Sequence, residues 1–159
     1  MTKLYFPSPK DYIIGIVDSK LSSEYYRINI NSTQFAIISN LDFKNVVKRN
    51  KQILESGDAI YGQISEVIPD PMMSCKETIG VLKSGMIVKV NCRYCLAFKE
   101  YQEILQQYLK FECLVGKNGY IYINHTDPAI TIIVYNLIKR GEYAPLDEYA
   151  ILVKHTLQK

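Results

Sequence analysis

The spacing of apolar and polar positions gives the first half of the chain a strand-like period. Tyr26, Ile28 and Ile30 alternate with polar residues, which is the period of a strand with one buried face. Gly57-Asp58 has the composition of a turn. Further strands are predicted at residues 12–17, 34–38, 59–67 and 73–75. Short strands separated by closely spaced turns predict a small closed barrel.

The second half of the chain adds a helical period to its strands. Apolar residues recur at i, i+3, i+4 and i+7 from Tyr101 to Tyr108, which predicts one face of a short helix. A second helix is predicted to begin at Asp127, a capping residue followed by proline, and a third after Pro145. Strands are predicted at residues 80–82, 86–91, 111–115 and 120–124. This order of elements predicts a small α+β domain.

Composition is that of a globular protein and adds little about function. Hydrophobic residues make up 48% of the 159 positions and charged residues 22%. We place the division between the two parts at residue 78, which gives segments 1–78 and 79–159. The sequence contains neither the roughly 18 consecutive apolar residues of a membrane helix nor a signal peptide. We therefore expect a soluble intracellular protein with no membrane partner.

The reactive side chains give no pattern of a metal centre or an active site. Cys92 and Cys95 have metal-ligand spacing, but the second pair that a zinc site needs is missing from the sequence. His125 and His155 have no evident nucleophile or carboxylate partner, and the acidic residues are dispersed. We expect buried structural thiols, no metal, no cofactor and no catalytic residue.

A basic segment in the first half is the main candidate for nucleic-acid binding. The net charge of +3 permits such a partner without requiring one. Four cations, with no acidic residue among them, are candidate RNA-binding residues: Lys44, Lys48, Arg49 and Lys51. Loops of this kind on small barrels follow the backbone of single-stranded nucleic acid. Contact with another protein subunit, or a merely solvated loop, are the alternatives.

An ordered set of short motifs resembles one family. The motifs occupy residues 12–17, 47–51, 57–62, 80–86 and 116–119. Over about residues 5–143 this set is similar to the cap subunits of the eukaryotic RNA exosome, which combine an S-one-type barrel with a KH domain. Within these subunits the resemblance is to the exosome component 3-like (ribosomal RNA-processing protein 40) family. The resemblance implies an OB-fold barrel of the S-one type followed by a KH-like α+β domain.

The resemblance also implies a function without catalysis. Cap subunits of this family sit on a ring of RNase PH-like subunits and guide single-stranded RNA into its channel for 3'-5' processing and decay. The expected partners are RNA, the ring subunits and other cap subunits, in nucleus, nucleolus and cytoplasm. The alternative is a free-standing single-stranded RNA-binding module in translation or RNA chaperoning. Family members usually carry a further N-terminal β-rich domain, and the opening methionine favours a naturally short form.

Two smaller features have competing interpretations. The segment Gly116-Lys117-Asn118-Gly119 is similar in composition to the GxxG clamp of RNA-binding KH domains, but it joins two predicted strands instead of two helices. We therefore expect Gly116, Asn118 and Gly119 to form a structural hairpin, with Lys117 as a further candidate phosphate contact. Tyrosines such as Tyr25 could stack on bases, although ordinary strand packing is the favoured interpretation.

Overall fold

The computed structural model describes residues 4–157, with the exception of the side chain of Lys48. The strands are β1 (Tyr12–Lys20), β2 (Tyr25–Asn29), β3 (Ala36–Ser39), β4 (Ala59–Glu66), β5 (Met72–Ser74), β6 (Gly80–Leu82), β7 (Met86–Lys89), β8 (Glu112–Val115) and β9 (Tyr120–Asn124). The helices are α1 (Cys92–Gln106), α2 (Pro128–Gly141) and α3 (Leu146–Leu157), and a short 3-10 turn spans Lys48–Asn50. None of these helices is long and apolar enough to cross a bilayer.

Two compact units share these elements. The first extends through Lys83 and includes Gly116–Asn118, and the second comprises Ser84–Val115 and the chain from Gly119 onward. The division predicted at residue 78 stays a prediction.

The first unit is a closed five-strand barrel. β1 pairs antiparallel with β2 and with β4, β2 pairs with β3, and β4 pairs with β5. A short parallel pairing of β3 with β5 completes the circle. The interior is filled by fully buried side chains of Ile13, Ile28, Ile38, Ile60 and Met73. The barrel predicted from the alternating pattern is confirmed.

The strand predicted at residues 80–82 is present and belongs to the barrel sheet. It extends the barrel sheet by pairing with β4, where Val81 lies opposite Ile60. The strand predicted at residues 86–91 begins a separate sheet as β7. Hydrophobic alternation identifies a strand but carries no information about which distant strand it will pair with.

The second unit packs helices on a three-stranded antiparallel sheet of order β7-β9-β8. Its core contains the fully buried residues Val88, Phe98, Leu105 and Tyr149. The predicted α+β layout is confirmed, including the hairpin of β8 and β9.

Two helix starts in the second unit are set by capping side chains. Asp127 caps α2 as predicted, since its Oδ1 accepts a hydrogen bond from the Ala129 amide at 3.0 Å. Helix α1 begins well before the predicted face at Tyr101, because Asn91 Oδ1 accepts a bond from the Tyr94 amide at 2.7 Å. A single helix therefore runs from Cys92 to Gln106.

The barrel depends on a close approach of β5 to Gly62 in β4. A Cβ atom at Gly62 would lie 2.7 Å from the Ser74 carbonyl oxygen and 2.8 Å from Cys75 Sγ. We expect Gly62→Ala to lower the free energy of unfolding by about 1–3 kcal/mol, because backbone must move to admit the methyl group. Glu66→Ala, an exposed change in the same strand, should stay within about 0.5 kcal/mol in the same urea titration. Equal stability of both variants would contradict this packing.

Candidate nucleic-acid interface

The long loop between β3 and β4 is held to the barrel by buried apolar side chains. Phe43 and Leu54 are each 5% exposed, although most of the residues between them are polar. The Leu54 amide donates to Tyr26 Oη at 3.3 Å, and the Cys75 amide donates to the Asp42 carbonyl at 2.8 Å. The loop is therefore attached to the barrel at both ends, by Phe43 and by Leu54, and its charged residues lie between these two buried anchors.

Three cations of this loop face solvent, and within the described residues they have no ionic partners. Lys44, Arg49 and Lys51 are exposed, and none of them forms an ion pair with a carboxylate in the described part of the chain. The fourth predicted cation, Lys48, has its side chain outside the described residues. Unpaired exposed cations are the groups that gain most from phosphate, because binding releases the counterions of the nucleic acid.

Lys117 lies in a different electrostatic setting. Its Nζ is 3.1 Å from Oδ1 of Asp11, a carboxylate that is only 9% exposed and also accepts a hydrogen bond from the Tyr5 hydroxyl. The Lys117 amide donates to the Tyr12 carbonyl at 2.9 Å. Asp11 therefore compensates part of its charge, whereas Lys44, Arg49 and Lys51 have no ion pair within the described residues.

Asn118 uses its whole amide group inside the barrel unit. Its Oδ1 accepts from the Ile14 amide at 3.2 Å, and its Nδ2 donates to the carbonyls of Ile14 at 2.7 Å and Ile30 at 2.9 Å. Its own carbonyl accepts from Asn31 Nδ2 at 2.9 Å. The side chain is fully buried. It connects the backbone of Ile14 in β1 with that of Ile30 just after β2.

The turn that carries Asn118 has hairpin geometry. Gly116 to Gly119 connects β8 with β9, and Gly119 has a φ of +94°, a conformation that a glycine adopts without steric cost. It does not join two helices, as an RNA-clamping loop would. This geometry is compatible with the structural role assigned to Gly116, Asn118 and Gly119, which remains a prediction.

The buried thiols and His125 each have a defined local environment. Burial raises the pKa of Cys75, Cys95 and Cys113 to about 12 each, so these thiols are protonated near neutral pH. His125 Nδ1 accepts a hydrogen bond from the Asp127 amide at 2.9 Å, which fixes it in the turn before α2. Over the same residues, no cluster of three His, Cys, Asp or Glu side chains is placed to hold a metal ion.

The sequence interpretation missed a cation–aromatic pair on the outside of the barrel. The Arg27 guanidinium carbon lies 5.1 Å from the centre of the Phe35 ring. The signal was available in the alternation of β2, which puts Tyr25 and Arg27 on the face opposite to the buried Tyr26 and Ile28. What the alternation could not give was the partner, because Phe35 precedes the next strand.

Comparison with known proteins decides the family. The family model described as "Exosome complex component RRP40, S1 domain" matches residues 5–86, just over half of the chain. The chain belongs to this RRP40 S1-domain family. The expected resemblance to exosome cap subunits is thereby confirmed.

Relatives of the RRP40 family align with most of the chain. Exosome complex component rrp40 of Schizosaccharomyces pombe is 28% identical over 99% of this chain and 71% of its own length. Exosome complex component RRP40 of Homo sapiens is 29% identical over 92% of this chain, which spans 58% of that relative. A crystal structure described as that of an exosome complex RNA-binding protein superposes with a TM-score of 0.78 at 19% identity, covering 96% of this chain and 97% of the other. That likeness supports the barrel and the α+β unit as a fold.

Replacement of Asn118 tests its hydrogen bonds. We expect Asn118→Ala to lower the free energy of unfolding by about 3 kcal/mol, because buried backbone groups of Ile14 and Ile30 lose their partners. Asn136→Ala, the same change at an exposed position of α2, should stay within about 0.5 kcal/mol. Chemical denaturation measures both, and equal stabilities would show that the Asn118 network contributes nothing.

Proposed function

We propose that this chain is a non-catalytic, RNA-binding cap subunit of the RNA exosome. In this role it stabilises the RNase PH-like ring and guides single-stranded RNA into the channel for 3'-5' processing and decay. The observation that carries the proposal is membership of the RRP40 S1-domain family, together with relatives named as exosome complex components over most of the chain. The partners are RNA, the ring subunits and other cap subunits.

The long loop supplies the RNA contact in this proposal. Lys44, Lys48, Arg49 and Lys51 neutralise phosphates of a passing strand, and the buried anchors Phe43 and Leu54 keep the loop in place without using its charges. Lys117 contributes less, because Asp11 compensates it. Gly116, Asn118 and Gly119 are structural.

The absence of catalysis and the cellular location belong to the same proposal. Guiding RNA requires surfaces that bind phosphates and bases, and cleavage is left to associated nucleases. The protonated thiols near neutral pH are consistent with this division of labour. The chain works without a cofactor, in the nucleus, the nucleolus and the cytoplasm, where exosomes act.

Charge reversal in the loop tests the proposal. We expect Arg49→Glu combined with Lys51→Glu to weaken binding of single-stranded RNA and to reduce the salt slope of log K by about 0.7 for each phosphate that is no longer neutralised. Co-purification with a reconstituted RNase PH-like ring should persist. The matched control is Arg93→Glu with Lys99→Glu, the same charge change at exposed positions of α1, and it should leave RNA affinity unchanged.

Three results would count against the proposal. Equal loss of RNA affinity in both double variants would mean that only net charge matters. A chain that stays monomeric beside the reconstituted ring would contradict the cap role. Salt-sensitive RNA binding without any association with the ring would favour the free-standing RNA-binding module.

A further inference from the structure

Cys92 and Cys95 occupy the first turn of helix α1, and the proposed function does not use them. Helix α1 begins at Cys92, directly after its capping residue Asn91, so the two thiols stand at its first and fourth positions. Residues three apart lie on the same face of a helix. The Cα–Cβ bonds of a helix also tilt toward its N-terminus, so the Cys95 side chain leans toward Cys92.

The backbone distance between the two residues suits a disulfide bond. Helix geometry puts Cα atoms three residues apart at about 5 Å, within the range of roughly 4.4–6.8 Å that disulfides span. Their Cβ atoms have to come closer, from about 5–6 Å to about 4 Å. A first turn that tightens toward 3-10 geometry brings positions i and i+3 into line, and helix ends adopt this geometry frequently. Closure therefore requires only a local change in the first turn of α1.

The two thiols differ in their access to solvent. Cys92 is partly exposed, whereas Cys95 is 6% exposed. An oxidant in solution therefore reaches Cys92 first, and Cys95 lies behind it to complete the bond. An accessible thiol beside a second, resolving thiol is the arrangement that reversible cysteine oxidation uses.

The ionisation of Cys95 reflects its proximity to Cys92. Burial and, after it, the charge of a Cys92 thiolate raise the pKa of Cys95 to about 12, while a hydrogen bond from the Gly119 backbone acts in the opposite direction. Cys113 affects Cys95 less than Cys92 does. Burial also raises the pKa of Cys92. Few thiolates are therefore present near neutral pH. The pair reacts slowly for this reason, but its reduced form has no thiolate stabilisation that would oppose the disulfide.

We propose that Cys92 and Cys95 are a site of reversible oxidation, at which exchange with small disulfides of the glutathione type forms an intramolecular disulfide. In the first step Cys92 loses its proton to solvent, and its sulfur attacks one sulfur of the small disulfide and releases one thiolate. In the second step the deprotonated Cys95 attacks Cys92 Sγ and releases the other thiolate. The two released thiolates take up the two protons, so the protein loses two hydrogen atoms and the small disulfide is reduced to two thiols.

Closure of the pair also changes the surroundings of Gly119. The structure has both cysteines as free thiols, the form that a reducing compartment maintains. The disulfide forms when the surrounding glutathione pool becomes oxidised. It draws Cys95 Sγ toward Cys92, so the hydrogen bond between Cys95 and the Gly119 backbone is weakened or lost.

Peptide mapping identifies the bond directly, because Arg93 lies between the two cysteines. Trypsin cleaves after lysine and arginine, so it leaves Cys92 in peptide 90–93 and Cys95 in peptide 94–99. The full-length chain is incubated with oxidised glutathione, denatured, alkylated at its remaining thiols, digested and analysed by mass spectrometry. We expect the two peptides to appear joined by a disulfide and their separate alkylated forms to be lost. Dithiothreitol should restore the separate forms.

The other cysteines supply the internal control and the matched variant. The peptides that contain Cys75 and Cys113 should stay alkylated throughout. Cys113→Ser should leave the cross-link in place, whereas Cys92→Ser should abolish it. Cys92 is only partly buried, so the serine variant should fold, and the mapping of the unmodified chain depends on no variant. In NMR spectra the Gly119 amide resonance should shift on oxidation of the unmodified chain but not of Cys92→Ser.

Three results of the mapping would overturn the inference. They are full alkylation of both peptides after oxidation, glutathione attached to Cys92 without a bond to Cys95, and Cys95 joined to Cys113. The site goes beyond the proposed RNA-binding function, and none of these measurements involves RNA or the RNase PH-like ring. Co-purification with the ring would therefore still decide the proposed cap role separately.

Discussion

Closure of the barrel by β1 and β4 is the constraint on which the functional surface depends. Five consecutive antiparallel pairs, from Tyr12 with Gln63 to Ile16 with Ala59, join strands that are far apart in the sequence. This pairing removes the free edges that an open sheet would present. It also fixes both ends of the chain segment that runs from β1 to β4. This segment contains β2, β3 and the long basic loop, so the loop begins and ends on the barrel. The proposed phosphate contacts lie in the loop between β3 and β4.

The side-chain amide of Asn118 forms hydrogen bonds with backbone groups that β1 and β2 do not pair with each other. β1 and β2 pair only from Ile16 onward, so the backbone groups of Ile14 and Ile30 need other partners. Asn118 supplies them from a distant turn and is fully buried while doing so. Leaving those groups unpaired would cost about 1–3 kcal/mol each, which is large against the total stability of a small domain. We therefore expect the Gly-x-Asn-Gly segment to be needed for the stability of the fold, independently of RNA.

The sequence predicts what is locally determined and misses what depends on distant partners. Asp127 followed by proline starts a helix through contacts within one turn, and alternation along β2 is a property of that strand alone. The partner of β6 and the pairing of Lys117 with Asp11 depend on residues that only the closed barrel brings together. Asn91 is an exception, because its capping bond is local but the strand predicted at residues 86–91 includes it. Among the candidate RNA-binding residues, the sequence could identify the loop cations but could not tell free charges from a compensated one.

Amide hydrogen exchange followed by NMR tests the closed barrel most directly. We predict that the hydrogen-bonded amides of β1 and β4 exchange in the slowest class of the barrel, together with the Ile14 amide bound to Asn118, because one cooperative opening must release them all. Exchange of the β4 amides as fast as that of the exposed loop at residues 44–51 would contradict this closure, since the barrel would then be an open sheet.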